Sequence, residues 1–112
     1  MTMIRYEDFE QVDLRSGTIV KVDEFPRAKK PAFKIWADFG PEFGVRQTSA
    51  QVTVHYTPEN LLGRQIVGCI NLGERNIAGF LSQFLLLGFS DAHGAIFLPN
   101  IDPNVQNGQK MQ

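Results

Sequence analysis

Few residues in this chain could do covalent or metal chemistry, and their spacing does not assemble them. Cys69 is the one cysteine. It lies inside the apolar run QIVGCINL, with no basic neighbour to favour a thiolate, and reads as a small buried hydrophobe. A single thiol forms no intramolecular disulfide and suits a reducing cytoplasm. His55 and His93 are each without a second histidine or cysteine at ligand spacing, and read as surface or loop histidines. Ser16, Ser49, Ser82 and Ser90 lack a nucleophile elbow, and no glycine motif forms a phosphate loop. The reading is a binding protein, not an enzyme.

Binding chemistry is better represented. Arg27, Lys29, Lys30, Lys34 and Arg46 are five of the eleven cationic residues, gathered in one part of the chain. Lys34 and Trp36 sit two apart, so a strand would project both from one face, a cation beside an aromatic plate. Bases and phosphates in OB-type grooves use that pairing. The competing reading is a solvated lysine loop with Trp36 packed at a subunit contact.

The elements that must position these residues are short. RYEDFEQVD reads as an N-terminal helix with Phe9 and Val12 on one side. SGTIVKVDEF is a β-branched run in which Thr18, Val20 and Val22 face one way, Ile19 and Lys21 the other. FPRAKKP, bracketed by Pro26 and Pro31, is a loop. AFKIWADFG alternates most cleanly, with Phe33, Ile35, Ala37 and Phe39 sharing one face. GPEFG turns the chain into a third strand, VRQTSAQV. YTPENLLG carries a helix start, with Thr57 as N-cap, Pro58 at the first position and Gly63 as the end. RQIVGCINL, SQFLLLGF and AIFLPNI complete the set as strands. Five or six short strands with one short helix mid-chain suggest a small closed barrel of the OB type.

Bulk properties agree. The chain has 112 residues, a 43% hydrophobic content and a net charge of −1. That predicts one domain over residues 1–112 with a modest core, and leaves any electrostatic site to local clustering. The N-terminus lacks the basic and apolar regions of a signal peptide. The apolar run Ile77–Phe89, interrupted by Ser82 and Gln83, falls short of the roughly 20 residues of a membrane span. Both strand faces of that run are largely apolar, so the expected cover is barrel core on one side and a partner subunit on the other.

Several segments in order, DLRSGTIVKVDEFPRAKKPAFKIWADFG, RQTSAQVTVHYTPENLLGRQIVGCINL and RNIAGFLSQFLLLG, resemble the tRNA-binding domain family. The resemblance runs from about Phe9 to Gly108. KPAFKIWADFG, SAQ, RNIAGFLSQ and the closing QNGQK are most similar to its CsaA branch of protein-export chaperones. This resemblance implies an all-β OB-fold barrel with a short N-terminal helix and a C-terminal extension, assembled as a homodimer. It implies a cytoplasmic chaperone for unfolded export precursor proteins, associated with the SecA-type translocase ATPase, with no cofactor, nucleotide or metal. The alternative it carries is a protein that grips tRNA through the same groove.

By position, the family's groove falls on Arg46, Ser49 and Gln51 of the third strand, Asn71, Arg75, Ser82 and Gln83. Phe80 adds an apolar contact, and Lys34 and Trp36 are included for their shared face. In tRNA-binding relatives the loop after Asn71 is usually rich in Lys and Arg. Here Glu74 and Asn76 flank Arg75, which lowers the expected phosphate affinity and leaves peptide capture untouched.

Overall fold

The computed structural model describes residues 1–112. Helix α1 (Tyr6–Glu10) leads into a long strand β1 (Leu14–Glu24), then β2 (Phe33–Asp38), a one-turn helix α2 (Gly40–Phe43) and β3 (Val45–Ala50). Helix α3 (Pro58–Leu61) precedes β4 (Gln65–Cys69), the hairpin β5 (Arg75–Ile77) and β6 (Phe80–Ser82), then β7 (Leu85–Leu86). A last pair, β8 (Phe89–Ser90) and β9 (Ile96–Phe97), follows. The main sheet runs β3-β2-β1-β4-β7 and curls into a nearly closed five-stranded OB barrel.

β2 alternates as its sequence expects. Phe33, Ile35, Ala37 and Phe39 are all buried, and they form the core with Ile19, Val52, Leu61, Ile66, Ile70, Phe84 and Leu98. Phe39 meets Phe84 edge-on, centroids 4.9 Å apart. Glycine makes this pair possible: a Cβ on Gly17 would lie 2.9 Å from the Phe39 ring, and one on Gly68 would lie 2.8 Å from the Phe84 ring. Helix α3 starts as read, with Thr57 Oγ1 accepting from the Asn60 N–H at 3.3 Å, and it places Leu61 fully inside.

Three expectations need correction. In β1 the register with β2 slips between Ile19 and Lys21, leaving Val20 as an extra residue. This bulge resets the alternation, so Ile19 and Val22 turn to the core while Val20 is exposed. Second, SQFLLLGF is not one strand: Ser82 closes β6, only Leu85 and Leu86 pair with β4, and Phe89 starts β8. The break has a cause, since Gln83 leaves β6 to exchange hydrogen bonds with Gln47 of β3 before Phe84 plunges into the core.

Third, the loop expected after Asn71 carries a hairpin, β5 paired with β6. Its two-residue turn, Ala78-Gly79, has φ of 49° and 84°. Two successive positive φ values match the right-handed strand twist, and Asn76 Oδ1 secures the turn by accepting from the Gly79 N–H at 2.9 Å.

The C-terminal QNGQK runs beside the start of β1. Gly108 N–H donates to Ser16 O at 2.8 Å and Ser16 N–H to Gln109 O at 3.0 Å. Thr18 Oγ1 and Asn107 Oδ1 are joined at 2.7 Å. A Cβ on Gly108 would come within 2.6 Å of Phe39 O, and its φ of +86° also favours glycine. No helix is long and apolar enough to cross a membrane.

Candidate binding groove

The barrel fails to close between β3 and β7, and the loops around that gap enclose an open cavity of about 1130 Å³. Four segments wall it: the loop after β1, the second half of β3, the chain from Leu72 to Ala78, and β7 with its flanks. Its floor is apolar, made of Val52, Phe84 and Leu86. Ile77, Leu85 and Leu87 rise at the sides. Around the rim stand Arg27, Lys29, Lys30 and Arg75. None of the four forms an ion pair or sits over an aromatic ring. One acid, Glu74, shares the rim, where it accepts from Gln83 Nε2 at 3.4 Å. Unpaired cations at a concave mouth keep their field for a ligand.

The residues expected to form the groove divide. Ser49, Gln51, Arg75 and Ser82 line the cavity. Ser82 is buried, and its Oγ accepts from the Ser49 N–H at 3.0 Å, tying β6 to β3. Gln83 stands just behind, with its Oε1 accepting from the Gln47 N–H at 3.1 Å.

Arg46 and Asn71 are tied up in hydrogen bonds within the chain and do not line the cavity. Arg46 Nη1 donates to Ile70 O at 3.0 Å, bridging β3 to the end of β4. Asn71 Oδ1 accepts from the Asp13 N–H at 3.0 Å, and its Nδ2 donates to Gln11 O at 2.6 Å. It latches the N-terminal segment.

Lys34, Trp36 and Phe80 come together, but outside the cavity. Lys34 Nζ lies 4.9 Å from the Phe25 ring centroid and 5.1 Å from that of Phe80. Phe80 packs edge-on against Phe25 at 5.6 Å and Trp36 at 5.7 Å. Trp36 Nε1 donates to Gln47 Oε1 at 3.1 Å, and Lys21 Nζ sits 4.6 Å from its ring. The expected stacking plate is therefore a staple that pins the β5–β6 hairpin to the barrel wall. The Trp36 and Phe80 rings are half-buried, with Phe25, Lys21 and Lys34 against them.

The rim residues left out of the expected groove are Arg27, Lys29 and Lys30. Their signal was present: a cationic run between two prolines must be a loop at a barrel end, and loops carry sites.

His55 is more than a solvated histidine. Its Nε2 lies 2.9 Å from Asp91 Oδ2, and its ring stacks on Phe97 at 3.9 Å. The hydrogen bond from His55, helped by the His93 N–H, holds the Asp91 carboxyl below its ordinary value of 3.8. The pair clasps the loop after β3 to the turn between β8 and β9.

Residues 14–110 match the family described as "Putative tRNA binding domain". Two solved structures are similar over their full length. The chaperone CsaA of Bacillus anthracis is 40% identical, with a TM-score of 0.92, covering 99% of this chain and 100% of that one. The CsaA chaperone protein of Picrophilus torridus is 35% identical, with a TM-score of 0.91, covering 98% and 100%. The methionine–tRNA ligase of Chlorobium chlorochromatii is 35% identical over 109 residues, 97% of this chain. The chain spans only 15% of the length of that ligase. A barrel of this topology, a family match over nearly all of it and full-length structural likeness together make the chain a member of the tRNA-binding domain family.

Proposed function

We propose that this protein is a homodimeric cytoplasmic chaperone that holds unfolded export precursor proteins, as the CsaA likeness suggests. The observation that carries the reading is the cavity, where an apolar floor lies within reach of four unpaired cations. An unfolded precursor offers apolar and acidic side chains along one flexible chain, and both find partners there. Single-stranded RNA would need exposed aromatic plates, and the Trp36–Phe80 pair is packed away from the cavity.

The dimer is supported by the N-terminal segment. Helix α1 buries none of its residues, and Tyr6 and Phe9 on it are exposed, as are Met3 and Ile4 just before it. Apolar surface of that extent suits a second copy of the chain. Association with the SecA-type translocase ATPase belongs to the same proposal and rests on the CsaA likeness alone.

The test is suppression of aggregation of a chemically unfolded precursor. Protection at stoichiometric dimer is expected, and its absence from a folded dimer would refute the chaperone reading. A sedimentation mass near 12.6 kDa would refute the dimer.

A second reading, tRNA binding, is favoured by the same four cations and by the family's own description. Its mark is a steep fall of tRNA affinity with salt, and sub-micromolar binding near physiological salt would give it precedence.

A further inference from the structure

β3 is the edge of the main sheet, and its outer side is finished in two different ways. In an antiparallel strand, alternate residues aim both backbone groups at the same side. Gln47 and Ser49 aim theirs away from β2. The Gln47 N–H donates to Gln83 Oε1 at 3.1 Å, and its carbonyl accepts from the Gln83 N–H at 2.7 Å. The Ser49 N–H donates to Ser82 Oγ at 3.0 Å. This half of the edge is plugged, largely by side chains from the β6 segment.

The other half is open. Next along the same edge come the Ser49 carbonyl and, one residue past the end of β3, the Gln51 N–H. Gln51 N–H has no hydrogen-bond partner in the chain, and no backbone donor reaches Ser49 O. The Thr48 hydroxyl lies 3.3 Å from Ser49 O, but its one hydrogen is held in the 2.7 Å bond to Phe84 O. Both residues line the cavity. Unpaired donors and acceptors on a sheet edge are a template for another strand.

We propose that the open edge of β3 captures an extended segment of unfolded polypeptide by main-chain pairing, adding a strand in the gap between β3 and β7. This rests on the chaperone reading above and supplies its mode of recognition. Side chains of the added strand alternate between two environments. One set meets Val52, Phe84 and Leu86, and the other meets the rim cations, so apolar residues alternating with acidic ones fit best. Main-chain pairing reads no side chain, so one edge accepts many precursors.

The test uses a short fluorescein-labelled peptide of alternating valine and aspartate. Three versions are compared: unmodified, N-methylated at the valine amides, and N-methylated at the aspartate amides. Each methylated set removes the N–H groups of one peptide edge. Pairing on β3 predicts that one methylated version binds about tenfold more weakly while the other stays within about twofold. Equal effects from both sets, with the unmodified peptide bound, overturn the pairing and leave the chaperone reading standing. Failure of the unmodified peptide and of an unfolded precursor to bind overturns both. On the protein side, Gln51→Pro removes an N–H that bonds nothing within the chain. It is expected to weaken the unmodified peptide about fivefold with an unchanged melting temperature. Unchanged affinity in that folded variant would contradict the pairing.

Discussion

Two regions of this barrel carry cations beside apolar surface, and they differ in whether the cations have partners. On the outer wall, Lys34 lies between Phe25 and Phe80, and Lys21 lies over Trp36. At the cavity mouth, Arg27, Lys29, Lys30 and Arg75 stand free around an apolar floor. A cation already seated on a ring has exchanged part of its hydration for that contact, and the contact holds the hairpin down. A free cation at a concave rim is still available to a ligand. Residue type would rank the first region as the site, since it has the tryptophan. Satisfaction of the side chains ranks the second.

The difference can be broken from either side. The largest effect is expected from replacing Arg27, Lys29, Lys30 and Arg75 together by glutamine. At about 0.7 kcal/mol per cation, binding of an acidic unfolded peptide should fall about a hundredfold, with the melting temperature nearly unchanged. Fluorescence anisotropy and thermal melting read the two quantities separately.

Phe80→Ala should do the reverse. Loss of its contacts with Phe25 and Trp36 is expected to destabilise the fold by about 2 kcal/mol, seen in urea denaturation. Peptide affinity at low temperature should change only a few-fold. Lys34→Met keeps the aliphatic stem and removes the charge, and is expected to cost up to about 1 kcal/mol of stability and no affinity.

The smallest effect belongs to the His55–Asp91 clasp, remote from both. The Asp91 carboxyl is held below 3.8, chiefly by its hydrogen bond with His55. A carboxyl lowered in the folded state adds stability that is present above its unfolded value and lost as pH falls through the folded one. Thermal melts should therefore drop in acid below pH 3.8, and Asp91→Asn should flatten that drop without touching peptide affinity.

Much of the fold was legible because local rules govern it. The β2 alternation and the Thr57-Pro58 helix start each depend on residues within one element, and both stand as read. The misreadings arise where a distant contact decides. The bulge at Val20 falls just past Thr18, where the pairing of β1 with β4 ends and its pairing with β2 goes on. The Ala78-Gly79 turn lacks the asparagine that usually marks such a hairpin.

The residues expected to form a groove divide between the cavity and other parts of the fold. Ser49, Gln51, Arg75 and Ser82 line the candidate cavity. Arg46 and Asn71 have the right polarity but hydrogen-bond the backbone of Ile70, Gln11 and Asp13, partners that only the folded chain brings near. Arg27, Lys29 and Lys30 were visible as a cluster, yet no local rule aims a loop at the gap between β3 and β7.

The central claim is that unfolded polypeptide binds at the free cations of the cavity and not at the Lys34–Trp36 wall. It is tested most directly by titrating one labelled, unfolded precursor against the four-cation variant and against Lys34→Met, both verified as folded. The account predicts that the first loses about a hundredfold in affinity and the second binds like the unaltered protein. Full binding by the four-cation variant, with loss in Lys34→Met, would contradict it.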